Sequence, residues 1–306
     1  MAFKYHKRIQ SRGWQSHAKL RAFSNRERRL FGLLKSHNDV HIETAETRSG
    51  SISHIFRADP TNCGDWWSLP AHYFTFPNHD SVIDINDYEP GMDFNRIAII
   101  GGGGLIGPAF RQLEDLIERN DVICIGWGLG NNMTDDKRTG YVAHGAPLPE
   151  YATRFNLLGI RDVVEGLRWV PCASCMHPSF RHDYPVIHDI VVFEHKRIPL
   201  NIGPFPRMSN AGSDIERVIR FLASGDTIIT NSYHGAYWAA LLNRKCVAIP
   251  FSSKFYGFKH PPALTTIDGW KGAIRRATAY SEALQSCRAA NISFYSDVSE
   301  LVFHNT

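Results

Sequence analysis

A histidine at the point where an apolar strand gives way to a helix is the residue of this chain best placed to move protons. His234 lies in Thr230-Asn-Ser-Tyr-His-Gly235, after a strand-like run at 227–230 and at the head of a helical pattern over 233–242. Asn231 and Ser232 are residue types that cap helix N-termini. The helix dipole there lowers a histidine pKa, which suits a neutral base or a proton shuttle near pH 7. Arg161 closes the strand-like run 157–160. Its planar guanidinium suits a bidentate clamp on carboxylate or phosphate, and equally an ion pair with Asp162.

Three other runs carry candidate ligand or metal chemistry. Gly101 to Gly104 and Gly107 follow the apolar run 97–100, and Pro108 suits the first turn of a helix behind them. Glycines there let an anion approach backbone N–H groups at a helix N-terminus. Gly102, Gly104 and Gly107 also match a dinucleotide-binding spacing, but that reading wants an acid about 20 residues on. The next apolar run ends in Gly126-Trp-Gly-Leu-Gly130 without one, which argues against NAD. Phe251-Ser-Ser-Lys-Phe-Tyr-Gly257 gathers Ser253, Lys254 and aromatic rings in one loop. Such a loop holds a phosphorylated or sugar ligand, or is simply polar. Cys172-Ala-Ser-Cys175 has prolines on both sides and no second pair, so it reads as a turn packing small thiols at a domain junction.

The elements that must position these residues follow from hydrophobic periodicity. Strands are expected at 53–56, 97–100 and 122–127, with turn-rich residues 59–65 after the first. A helix from Pro108 carries Phe110, Leu113, Leu116 and Ile117 on one face. Strand, glycine turn, helix and strand make a βαβ unit, which implies a parallel sheet. The pattern recurs with strands at 186–193, 227–230 and 247–249. Ser213-Asp-Ile-Glu216 forms a capping box with Ser213 as N-cap, and Gly225 ends the helix it opens. Residues from 269 onward read as mostly helical. The chain is therefore an α/β protein with an arm at 1–35, an N-terminal domain at 36–165 and a C-terminal domain with a helical tail at 166–306. In such a pair ligands bind at the carboxyl ends of the strands, in the cleft between the domains.

Composition narrows the functional classes. Hydrophobic residues make up 43% of the 306, enough for a buried core. The net charge of +4 conceals an uneven distribution: residues 1–35 hold ten Lys or Arg against one acid, and the remainder is mildly acidic. The arm reads as a solvated extension or as a dock for an anionic membrane surface, and the body offers no basic stripe for nucleic acid. Six cysteines are too few for a disulfide scaffold, and the arm lacks the apolar middle of a signal peptide. A cytoplasmic location is expected.

Taken in order, Asn62-Cys-Gly-Asp-Trp-Trp67, the glycine run after 97–100, Trp127-Gly-Leu-Gly130, Gly159-Ile-Arg-Asp162 and Asn231-Ser-Tyr-His-Gly235 resemble the polysaccharide pyruvyl transferases. The resemblance spans residues 56–258. It implies two Rossmann-like domains facing a cleft, a glycosyltransferase-B-like fold, with phosphoenolpyruvate as donor substrate and no cofactor or metal. The acceptor it implies is a sugar, often lipid-linked, in exopolysaccharide or cell-surface glycan synthesis. By the family pattern His234 is catalytic and Arg161 holds the donor. In that scheme His234 transfers protons, Gly102, Gly103, Gly104 and Asn231 supply hydrogen-bond donors, and Asp65 orients an acceptor hydroxyl. Many members carry an arginine where this chain has Ser232, and Lys254, Lys259 and Arg244 are the candidate substitutes for it, with no choice among them from sequence. The competing readings are a nucleotide-sugar glycosyltransferase and a non-catalytic sugar-phosphate binding module.

Overall fold

Residues 52–76, 79–92, 96–107, 111–133 and 148–305 are described by a computed structural model. The basic arm, Pro108 and Phe110 lie outside them. In chain order the described elements begin with β1 (Ile52–Phe56), the short helix α1 (Cys63–Trp66), β2 (His79–Asp84) and β3 (Ile97–Ile106). Next come α2 (Gln112–Ile117), β4 (Ile123–Asn131) and β5 (Leu157–Ile160). These strands form one parallel sheet in the order β2-β1-β3-β4-β5. The second half runs β6 (His188–Glu194), β7 (Arg207–Ser209), α3 (Ile215–Ala223) and β8 (Gly225–Thr230). It ends with α4 (Tyr233–Leu241), β9 (Lys245–Ala248), β10 (Ala263–Leu264), α5 (Trp270–Ile274) and α6 (Ala283–Phe303). Its parallel sheet has the order β10-β9-β8-β6-β7.

The continuous apolar runs behave as parallel strands covered on both faces should. Every residue of β1 is buried, and Leu113, Leu116 and Ile117 of α2 face the core as their spacing predicts.

Among the boundaries that differ from the sequence reading, three have a clear local cause. The four glycines after residue 100 are not a turn: β3 continues through them, pairing Gly101 with Trp127 and Gly103 with Leu129 of β4. A Cβ at Gly101 would overlap the Trp127 carbonyl, so the pairing itself requires glycine there. The N-cap of α3 is Asp214, whose side chain accepts from the Arg217 N–H. Ser213 is held one residue outside, where its carbonyl accepts from Trp67 Nε1 at 2.6 Å. β6 begins at His188, because Val186 and Ile187 are exposed ahead of it.

Helix α6 belongs to both halves. Cys287 packs into the core built on β6, β8 and α4, while Phe294, Val298 and Val302 pack with Ile97, Ile125 and Trp127 of the first sheet. Between them the buried Asn291 accepts from Trp127 Nε1 at 2.8 Å. Its amide donates to the Pro171 and Cys287 carbonyls and to Cys175 Sγ. This one side chain ties β4 and α6 to the Cys172–Cys175 segment. Buried polar groups stripped of partners carry a desolvation penalty, so Asn291→Ala is expected to lower stability by about 2–3 kcal/mol. Urea unfolding monitored by tryptophan fluorescence checks this.

Candidate active site

The carboxyl ends of strands from both sheets open on one cleft of about 280 Å³. Arg57 follows β1, Asn132 follows β4, Arg161 follows β5 and His195 follows β6. Ser232, Tyr233 and His234 come from the turn between β8 and α4, and Phe251 and Lys254 from the loop after β9. Of the residues picked from sequence, Asp65, Gly103, Gly104, Arg161, Ser232, His234 and Lys254 meet on its wall.

Gly102, Asn231 and Ser253 are not on that wall, and each is engaged elsewhere. Gly102 N donates to the Ser68 carbonyl. Asn231 accepts from the His195 N–H at 2.7 Å and donates to the Ile198 carbonyl at 2.8 Å, which fixes the loop presenting His195 and Arg197. Ser253 is bonded through both its backbone and its hydroxyl to Met133. Sequence reasoning missed Arg57, Asn62, Asn132, His195, Arg197 and Asn210, all of which line the cleft. Arg57 and His195 each directly follow a strand, the same signal that singled out Arg161.

Arg161 is the most constrained of these groups. Its side chain is 1% exposed and its guanidinium lies 3.8 Å above the Tyr233 ring. A Cβ at Gly130 would overlap Nε, so the glycine near the end of β4 makes room for the arginine. Nε and Nη2 are buried and make no hydrogen bond. Asp162 Oδ1 stands 3.9 Å from Nε, beyond hydrogen-bond reach, and Oδ2 is occupied by the Asn131 N–H. The guanidinium thus keeps unspent donors that match the two oxygens of a carboxylate or phosphate.

Asp65 is brought opposite by a segment locked to the second half. Lys196 Nζ donates to Asp59 Oδ2 at 2.9 Å and to Thr61 Oγ1 at 2.6 Å. Cys63 N donates to the Asn210 carbonyl, and Asn210 Nδ2 donates to Asn62 Oδ1. Asn62 caps α1 and donates to Asp65 Oδ2 at 2.6 Å. Burial raises the Asp65 pKa, and the positive charges of Lys254, Arg57 and Arg161 oppose that rise.

Burial, then the charges of Arg161 and Lys254, hold His234 well below the usual histidine value, so it is neutral at pH 7. The sequence argument invoked the helix dipole alone. Burial and Arg161 pull Lys254 down to about 8, with Asp65 opposing. Of the three cations weighed as replacements at Ser232, Lys254 lines the cleft. Arg244 is spent on the Ala223 and Tyr184 carbonyls, and Lys259 sits over Trp169. Four cations line the cleft with Asp65, but Arg57 is ion-paired to Asp84 and Arg197 is exposed, which leaves Arg161 and Lys254 as the positive charges of its interior. Positive charge lining a cleft attracts anions.

Among the described residues no cluster of three or more His, Cys, Asp or Glu is arranged to hold a metal ion, and no helix is long and apolar enough to cross a membrane. No protein-family model matches the chain, and no curated protein matches it. Solved structures similar at low identity include the following two. One is a functionally uncharacterised protein from Klebsiella pneumoniae subsp. pneumoniae NTUH-K2044, 17% identical over 73% of this chain and 88% of that one, with a TM-score of 0.39. The other is the wall teichoic acid polymerase TagF, 9% identical over 97% of each chain, with a TM-score of 0.41.

Two outcomes are expected from the geometry of the cleft. Gly130→Ala pushes Arg161 out of its slot, and binding of a simple anion such as inorganic phosphate, followed by titration calorimetry, should weaken at least about tenfold, or 1.4 kcal/mol. Lys254 is charged below its pKa and neutral above it. Anion affinity should therefore be full at pH 7 and fall as pH rises through about 8, with that step missing in Lys254→Met.

Proposed function

We propose that this chain is a transferase that takes phosphoenolpyruvate into the cleft and moves its three-carbon unit onto two sugar hydroxyls as a ketal, the reaction of the polysaccharide pyruvyl transferases. The observation that carries the reading is the buried Arg161 with unpaired Nε and Nη2, in a cleft that Lys254 also lines. Phosphoenolpyruvate has a carboxylate and a phosphate on adjacent positions, and it needs cations for both. Arg161 grips one of them, and Lys254 neutralises the other. On this reading the two parallel sheets belong to glycosyltransferase-B-like halves divided after residue 165. The acceptor is a lipid-linked sugar met at an anionic membrane surface by the basic arm.

The chemistry divides among the remaining groups. Asp65, with its raised pKa, passes a proton to the methylene carbon and recovers one from the attacking hydroxyl. The hydroxyl oxygen bonds to C2, and the C2–O bond to phosphate then breaks. A second hydroxyl closes the ketal, and its proton leaves with inorganic phosphate. Neutral His234 faces the phosphate and eases its departure. Asn132, whose Oδ1 is buried without a partner, receives an acceptor hydroxyl.

The test is phosphate release from phosphoenolpyruvate across a panel of lipid-linked and nucleotide-activated sugars. His234→Ala should lower kcat by about 10²–10³-fold, the cost of losing one donor to developing charge, with KM for phosphoenolpyruvate little changed. Arg161→Ala should mainly raise that KM. Sugar transfer from a nucleotide sugar without phosphoenolpyruvate would replace this reading with glycosyl transfer.

A further inference from the structure

Behind His234 runs a chain of buried polar groups. Trp238 Nε1 donates to Ser174 Oγ at 3.0 Å. Ser174 Oγ lies 3.2 Å from Cys172 Sγ, and Cys172 Sγ lies 3.5 Å from His234 Nε2. Trp238, Ser174 and Cys172 are all fully buried. The segment bearing the thiol and the hydroxyl is fixed from two sides, by Asn291 Nδ2 on the Pro171 carbonyl and by the Tyr237 hydroxyl on the Cys172 carbonyl.

Counting hydrogens gives the chain a direction. An indole N–H only donates, so Ser174 Oγ is an acceptor at that end. The serine has one hydrogen of its own, and the Cys172 sulfur is the remaining atom within its reach among the described residues. Having accepted it, the thiol pairs its single hydrogen by turning it to His234 Nε2, whereas a sulfur that accepted from both neighbours would leave that hydrogen unpaired. The reverse direction sends the thiol hydrogen to Ser174 and strands the serine hydroxyl hydrogen in a site closed to water, which buried donors avoid.

We infer that Cys172 is a positioning residue whose thiol, aligned by Ser174 and Trp238, holds His234 in the tautomer that carries its proton on Nδ1. Nδ1 is the ring edge against Gly64, where a Cβ would overlap it. The glycine leaves that edge uncovered. His234 then meets the ligand as a neutral N–H donor and not as a base, the way neutral imidazoles polarise oxygen in other enzymes. The inference deepens the proposed reaction and rests on it only for the identity of the anion. The pair Cys172 and Cys175 is accordingly more than a packing turn, and its first member acts through the histidine.

The tautomer is read without turnover. Imidazole 15N spectra of the full chain, with His234→Gln used to assign the resonance, should show His234 protonated on Nδ1. In Cys172→Ala the resonance should shift to a mixture with the Nε2 form, and in Cys172→Ser, which keeps a donor, it should stay. With phosphoenolpyruvate and acceptor, Cys172→Ala should lose kcat by about tenfold to hundredfold at unchanged KM, as partners that orient a working histidine do, and Cys172→Ser should restore most of it. An Nε2-protonated His234 in the native chain, or an Nδ1 form that survives Cys172→Ala, overturns the inference whatever the enzyme transfers. Absence of turnover with the Nδ1 form intact would instead count against the proposed reaction alone.

Discussion

A guanidinium shut away from water with unpaired donors is among the more expensive things a fold can hold. Arg161 is held that way, and much of the surrounding architecture is explained by what keeping it there requires. Tyr233 supplies a ring face 3.8 Å from the cation, an attraction that strengthens as water is excluded. Gly130 gives up its side chain to make room beside Nε. Asp162 stays close enough to offset the charge but is tied to the Asn131 N–H, so it cannot close on the arginine. Each arrangement lowers the cost of the buried charge without filling its hydrogen-bonding directions. Those directions are left for a ligand.

Holding that charge in place depends on two halves meeting in a fixed register. Tyr233 comes from the second sheet and Arg161 and Gly130 from the first. Several ties set their relation, and two of them are networks of side chains. One is the clamp in which Lys196 and Asn210 grip residues 59–63, which also brings Asp65 to the cleft. The other is α6, whose Asn291 bonds to Trp127 on one side and to the Cys172–Cys175 segment on the other. Both use buried or half-buried hydrogen bonds, which are directional. A purely apolar junction would stabilise contact while leaving the register loose.

The sequence was most legible where chemistry and secondary structure share a position. Asp65, Arg161, His234 and Lys254 were each read from a turn or strand end, and the fold brings all four to one wall. Parallel strands all point their carboxyl ends the same way, so residues far apart in sequence arrive together. Arg57 and His195 obeyed the same rule but lay outside any run that drew attention. The glycine run was misread for a physical reason. Glycine is poor in strands on its own account, and only the close approach of Trp127 and Ser68 explains why β3 continues through it. Asn231 was misread in the other direction: its type and place suit a ligand, but its side chain is spent on the 195–198 loop. The partner of a polar side chain is a tertiary fact, and periodicity does not encode it.

The cleft is electrostatically frustrated. Burial is the main reason Lys254 and His234 both lose protons more readily than free side chains, and Arg161 adds to it at both groups, with Lys254 adding to it at His234. A multiply charged anion entering among them reverses the sign of the field. Lys254 then holds its proton more firmly, and the donors of Arg161 find acceptors. His234 is drawn toward sharing its hydrogen. A singly charged ligand relieves only part of this repulsion, and a neutral one adds desolvation without relief. On the proposed reading, discrimination by charge number follows from the same unpaired groups that are costly to bury.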